Sequence, residues 1–255
     1  MIVLFTDFGA DDIYVGQVKA VLLQHAPNVP LNDLLHGAPS FDPRHAAHLL
    51  VALQAQYPRG SVFLAVVDPG VGSEREAAVV HAGGKWFVGP DNGLLSVVAG
   101  RAEAPRTWRI TWQPKVLAAS FHGRDLFAPV VAWIAGGSFP ADKLEPTAGL
   151  AVRLDVDDLG EVIYIDHYGN AMTGLRAFRV PHAATLAAGG GEFRYARVFS
   201  EVAPGEAFWY ENSIGLAEIA VNRGSAASRF GLRVGEPVRM SWRAPLGPPA
   251  GAEVD

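Results

Sequence analysis

Two acidic turns, each closing an apolar run, hold residue types that could do chemistry. Val3-Leu4-Phe5 leads into Thr6-Asp7-Phe8-Gly9, and Val62 to Val67 leads into Asp68-Pro69-Gly70-Val71-Gly72-Ser73-Glu74-Arg75. Unbroken apolar runs suit strands buried on both faces, and open α/β sheets bind ligands beyond the carboxyl ends of their strands. Asp7 could accept hydrogen bonds from vicinal ribose hydroxyls, or simply close an Asx-turn. Glycines at 70 and 72 permit tight or positive-φ turns, so Arg75 can fold back on Asp68, as a catalytic pair or as an ion pair pinning the loop. His122, in Ser120-Phe121-His122-Gly123-Arg124-Asp125, stands where a long helix is expected to begin. A helix amino terminus disfavours imidazolium and leaves the ring as a base or hydrogen-bond acceptor; a histidine fixed in the core is the plainer alternative. His36 has a similar claim. Asp166, Tyr168 and Asn170 fall at i, i+2 and i+4. If extended they share a face and suit an adenine, through stacking and edge hydrogen bonds; the tip of a hairpin is the other possibility. Asn212-Ser213-Ile214-Gly215 is another loop of this kind.

The elements that must carry these groups read as an α/β fold. Strand-like and helix-like patterns alternate over the first ~135 residues. A helix capped by Asp11 or Asp12 carries Val15, Val18 and Leu22. A strand follows over Val29 to Leu35, and a second helix opens at Asp42-Pro43, where the missing proline N–H costs nothing. Ala77–His81 and Trp86–Val88 pair as strands around Gly83-Gly84, and a last long helix runs from about Arg124 to Ile134. Beyond it the pattern changes to short segments suited to an antiparallel sheet or small barrel. The expectation is an N-terminal α/β domain with a mostly parallel sheet (1–137), a linker (138–150), a smaller C-terminal antiparallel β-barrel-like domain (151–244) and a disordered tail (245–255).

Composition narrows the chemistry. The chain has 255 residues, 49% hydrophobic and 18% charged, a globular balance. It has no cysteine, which removes disulfides, thiolate nucleophiles and zinc–thiolate sites. A net charge of −5 without a basic cluster argues against a nucleic-acid track. The amino terminus lacks a basic region and no apolar stretch is long enough to span a bilayer, so a soluble cytoplasmic protein is expected. No His-x-x-x-His or Asp-x-Asp spacing supports a metal site.

Together the blocks Thr6-Asp7-Phe8-Gly9, Val67 to Arg75, Gly89-Pro90-Asp91-Asn92-Gly93-Leu94-Leu95, Phe121 to Asp125, Ile165 to Asn170 and Asn212-Ser213 resemble, in order, the S-adenosyl-L-methionine hydroxide adenosyltransferases, relatives of the fluorinase and chlorinase. The resemblance implies attack of water on the ribose C5′ of S-adenosyl-L-methionine, giving adenosine and L-methionine without a metal or cofactor. It implies Asp68, Arg75 and His122 as catalytic residues, and Asp7 for the ribose diol. Phe41 and Phe121 would contact substrate, Asp166 would take the methionine amino group, and Tyr168 and Asn170 the adenine, with Ser213 and Glu218 nearby. It also implies a homotrimer with substrate between one subunit's first domain and a neighbour's second. Ile214 stands where the fluorinase has an arginine. Two rivals are a calcium-dependent nucleoside hydrolase, whose acidic motif Thr6 to Asp12 resembles although Phe5 replaces its first aspartate, and a catalytically silent adenosine-binding protein.

Overall fold

The computed structural model describes residues 1–242; the expected tail, 245–255, lies outside them. The chain divides into two compact units, Met1–Leu159 and a second from Gly160. Among the described residues no helix is long and apolar enough to cross a membrane.

The first unit runs β1 (Ile2–Thr6), α1 (Ile13–His25), β2 (Leu31–Leu35), α2 (Pro43–Leu53), β3 (Val62–Val66), β4 (Ala77–Ala82), β5 (Lys85–Pro90), α3 (Ser96–Gly100), β6 (Arg106–Ile110), α4 (Ala128–Ala135) and β7 (Leu144–Thr147). Its seven strands lie in the order β2-β1-β3-β5-β4-β6-β7. β1 and β3, apolar throughout but for the terminal Thr6, are buried at every position. On one face Ile2, Leu4, Val62 and Leu64 pack with Val18 and Leu22 of α1 and Val130 and Val131 of α4. Asp12 caps α1, and Asp42 caps α2 with Pro43 in its first turn.

Two expectations need correction. The sheet is mixed and not mostly parallel: β2, β1, β3 and β5 pair in parallel, whereas β4, β6 and β7 are antiparallel to their neighbours. The cause is local. Gly83 and Gly84, both at positive φ, close β4 onto β5 in two residues, and so short a connection admits only antiparallel pairing. The stretch 138–150 is not a linker, because β7 within it is the sheet's edge strand, paired to β6 from Leu144 to Thr147. An edge tolerates Pro146. The Asp91 carboxylate then accepts the N–H groups of Ala151 (2.8 Å) and Val152 (3.2 Å), which ties the next segment to the first unit.

The second unit comprises β8 (Leu159–Ile165), β9 (Ala171–Arg176), β10 (Thr185–Ala188), β11 (Gly191–Tyr195), β12 (Ala207–Glu211), β13 (Leu216–Val221), α5 (Ala226–Phe230) and β14 (Arg239–Ser241). The sheet order is β14-β10-β11-β12-β13-β9-β8. β10 pairs antiparallel with both β11 and β14, as β13 does with β12 and β9, while β11 and β12 run parallel. The sheet curls until its ends meet: Val162 N–H donates to Glu236 (2.9 Å) and Val238 N–H to Gly160 (2.8 Å), just ahead of β14. Val162, Leu186, Phe193, Trp209 and Ile219 fill the interior.

Candidate active site

The parallel register Thr6↔Val66 brings the carboxyl ends of β1 and β3 side by side, so Asp7 and Asp68 leave the sheet together. Burial raises the Asp7 pKa, the Phe41 N–H opposes the shift, and the nearby Asp68 charge adds to it. That N–H donates to Asp7 Oδ2 at 3.2 Å. Phe41 itself sits at φ 61°, a left-handed conformation costly for a bulky residue, with its ring 77% exposed.

The loop after β3 folds back as its glycines allow. Gly72 has φ 79°, and a Cβ there would meet the Ala119 carbonyl oxygen at 2.5 Å. Arg75 Nε donates to Asp68 Oδ1 at 2.7 Å and Nη2 to Oδ2, a two-pronged pair with side chains only 10% and 6% exposed. Nη2 also reaches His122 Nδ1 at 3.0 Å, and the guanidinium lies over the Phe127 ring. A guanidinium has donors only, so His122 Nδ1 is the acceptor, and the proton of the neutral ring sits on Nε2. Burial and then the Arg75 charge hold the His122 pKa below its usual value, with Asp68 and Asp125 opposing. His122 immediately precedes a π-helical turn, Gly123–Phe127, which runs into α4. The helix expected to start near Arg124 is therefore present, but its first turn is wider than an α-helix.

These groups line a cavity of about 310 Å³. Asp7, Asp68, His122 and Ser120 are among its polar lining, and Phe8, Tyr14, Phe41 and Phe121 form its aromatic walls. Phe121 meets Phe8 and Tyr14 edge-on, at centroid distances of 5.9 and 5.3 Å. Arg75 is absent from the lining and touches the cavity's groups through Asp68 and His122. The cavity thus offers a buried carboxylate and an imidazole N–H, with a second carboxylate beside them.

The second unit has a cavity of about 550 Å³, lined by Asp166, Tyr168, Asn170, Phe199, Tyr210 and Arg223 among others. Asp166, Tyr168 and Asn170 come together there, but not as one face of a strand. They form the turn between β8 and β9: Asp166 Oδ1 accepts the N–H groups of Tyr168 (2.9 Å) and Asn170 (2.8 Å), while Oδ2 accepts Asn170 Nδ2 (2.9 Å). The Tyr168 ring is 75% exposed. Ser213 and Glu218 are outside the lining. Ser213 is exposed in the turn between β12 and β13, and Glu218 is buried, its oxygens taken by the Tyr210 hydroxyl (2.6 Å) and Asn212 Nδ2 (2.7 Å). Burial raises the Glu218 pKa against these bonds.

Phe199, Tyr210 and Arg223 do not stand out in the sequence. A signal existed for Tyr210: one acid interrupts the apolar run Leu216 to Val221, and a buried acid needs partners on the facing strand. Tyr210 lies directly across from Glu218. Among the described residues no group of three or more His, Asp or Glu side chains could hold a metal. His36 does not line the first cavity and bonds instead to Thr6 and Asp33.

Comparison with known proteins agrees in both units. Residues 2–145 match the SAM hydroxide adenosyltransferase N-terminal domain, and 160–239 its C-terminal domain. An (R)-S-adenosyl-L-methionine hydrolase of Thermus thermophilus is 41% identical, the match covering 92% of this chain and 97% of that protein. A protein of the same name from Salinispora arenicola is 36% identical, over 92% and 95%. An uncharacterized conserved protein from Thermotoga maritima has a crystal structure that superposes with a TM-score of 0.85 at 32% identity, covering 94% of this chain and 99% of that one. With both of its domains matched in order along the chain, this protein belongs to the SAM hydroxide adenosyltransferase family.

Proposed function

We propose that the protein hydrolyses S-adenosyl-L-methionine to adenosine and L-methionine. The observation that carries this is the hydrogen-bonded chain Asp68–Arg75–His122 at the cavity that also holds Asp7. Relatives named (R)-S-adenosyl-L-methionine hydrolase support it.

A water oxygen bonds to ribose C5′ as the C5′–S bond breaks, and that bond's electron pair stays on sulfur. Methionine leaves as a neutral thioether, so no general acid is required. The site must align the water with the C–S bond, take its proton and exclude bulk solvent. The sequence points to His122 as the base. Its Nδ1 lone pair, however, is engaged by Arg75, and its Nε2 carries the proton. We therefore give the proton of the water to Asp68, whose oxygens keep lone pairs beyond those used by Arg75, and have His122 Nε2–H orient the oxygen. Arg75 aligns both groups and offsets the developing negative charge. Asp7 takes the ribose diol, with Phe41 and Phe121 against the nucleoside.

In the second unit Asp166 would take the methionine ammonium, and Tyr168 and Asn170 the adenine. Glu218 would act through Tyr210, and Ser213 would lie near the adenine. We infer a homotrimer in which one subunit's first unit and a neighbour's second share each substrate. No metal, cofactor, nucleic acid or membrane enters the scheme, which suits a cytoplasmic enzyme.

The test is chromatography of S-adenosyl-L-methionine incubated with metal-stripped protein, beside Asp68→Asn and His122→Ala. Equal adenosine and methionine from the wild type, collapsing in both variants, is the expected result. Adenosine retained without turnover would replace the hydrolase with a binding protein.

A further inference from the structure

We infer that His36, which no catalytic step above uses, is a positioning residue for the ribose-binding edge of the first cavity. It acts through Thr6 on Asp7 and Phe41. The inference rests on Asp7 being the group that takes the ribose diol.

His36 is 8% exposed and Thr6 1%. Four side chains form one chain of contacts: Lys19 Nζ to Asp33 Oδ2 (2.5 Å), Asp33 Oδ1 to His36 Nε2 (3.1 Å), and His36 Nδ1 to Thr6 Oγ1 (2.8 Å). The ionised Asp33 can only accept, so Nε2 donates to it, and with the ring's proton on Nε2 the Nδ1 atom accepts the Thr6 hydroxyl proton. Thr6 Oγ1 in turn faces the Phe8 N–H at 3.4 Å. Backbone bonds run beside this chain. Gly9 N–H donates to the His36 carbonyl (2.7 Å), Ala38 N–H to the Thr6 carbonyl (3.0 Å), and Phe41 N–H to Asp7 Oδ2 (3.2 Å).

Segments 6–9 and 36–41 are thereby fastened to each other at the point where Asp7 leaves β1. Phe41 needs that fastening, because φ 61° on a bulky residue persists only where its surroundings fix it. An imidazole suits the position, since it presents an acceptor to the hydroxyl and a donor to the carboxylate from opposite edges of one rigid ring. An apolar residue would leave the proton of the buried Thr6 hydroxyl without the acceptor that Nδ1 provides.

The experiment uses Thr6→Val, which keeps the shape of the side chain, His36→Leu, and His36→Asn, whose amide oxygen falls near the place of Nδ1. Calorimetry measures adenosine and 2′,3′-dideoxyadenosine binding. Thr6→Val and His36→Leu should each weaken adenosine about tenfold and leave the dideoxynucleoside unchanged. Their double variant should be no worse than either alone, and His36→Asn should recover most of the loss. With S-adenosyl-L-methionine the change should fall on KM and spare kcat. Equal losses for both nucleosides, or additive losses, would overturn the inference. Hydrogen exchange at the Gly9 and Phe41 amides gives a readout that needs no ligand. Faster exchange in Thr6→Val at an unchanged Tm supports the fastening, and unchanged exchange refutes it. A wild type that prefers adenosine to its dideoxy analogue, and loses the preference in Thr6→Val, would keep this role for His36 even if no S-adenosyl-L-methionine were turned over.

Discussion

Arg75 is the residue through which Asp68 and His122 are tied to each other. Its planar fork meets both carboxylate oxygens and leaves a donor for the imidazole, a geometry that a lysine ammonium cannot reproduce. Arg75→Lys keeps the charge and loses the alignment, so kcat should fall about a hundredfold with a much smaller change in KM, as steady-state kinetics would read. A variant with near-normal kcat would mean that charge alone is required. The same contact sets the pH response. With the His122 pKa lowered by burial and by Arg75, the neutral ring persists below the range where a free histidine protonates. The acidic limb of kcat/KM is therefore expected below pH 6.5, falling as the ring takes up a proton and Nδ1 can no longer accept from Arg75. A limb centred above pH 6.5 would contradict this assignment of the ring.

The strand ends that deliver Asp7 and Asp68 were legible because a doubly buried strand shows itself as an unbroken apolar run, and the residues just beyond such a run must lie at the sheet edge. Long-range pairing was not legible. Leu144 to Thr147 reads as linker, and only its pairing with β6 makes it a strand. Asp166 to Asn170 could be an extended segment or a hairpin tip, and the structure has the tip; spacing alone is blind to a carboxylate that gathers the N–H groups of its own turn. Arg223 does not declare itself, because its left-handed φ of 57° and its place in the lining of the same cavity as Tyr168 are properties of the folded chain. Helix α2 holds another group whose behaviour only the fold reveals. His48 is 5% exposed, its Nδ1 has no hydrogen-bond partner among the described residues, and burial, with the charges of Arg101 and Arg44, lowers its pKa to about 4. Above pH 6.5 the ring is neutral folded or unfolded and stability is unaffected. Between 6.5 and about 4 the unfolded chain gains a proton that the folded one refuses, so stability falls as the pH falls, by about 2 kcal/mol after allowance for solvent screening. Thermal melts from pH 7 to 4.5 should show this slope in the wild type and a shallower one in His48→Leu, with little change at pH 7. Equal slopes would mean that His48 is solvated in the folded state.

At the scale of the molecule, the proposed chemistry is divided. The first unit holds Asp68, Arg75 and His122, and the second holds the turn of Asp166, Tyr168 and Asn170, each beside its own cavity. In the proposed homotrimer every site would borrow its second half from a neighbour, and cyclic symmetry then makes a quantitative demand. Asp68→Asn disables a first unit and Asp166→Ala a second, so either variant alone should be inactive. In a mixed trimer, one of the three interfaces joins an intact first unit to an intact second. Random assembly from equal amounts makes about three quarters of the trimers mixed, so about one quarter of wild-type activity should return. Co-expression with different affinity tags, and mass spectrometry of the intact assemblies to count mixed trimers, supplies the control. Recovery near a quarter would establish a site shared between subunits. Mixed trimers without activity would place both halves of each site in a single chain, and the absence of trimers would refute the assembly itself.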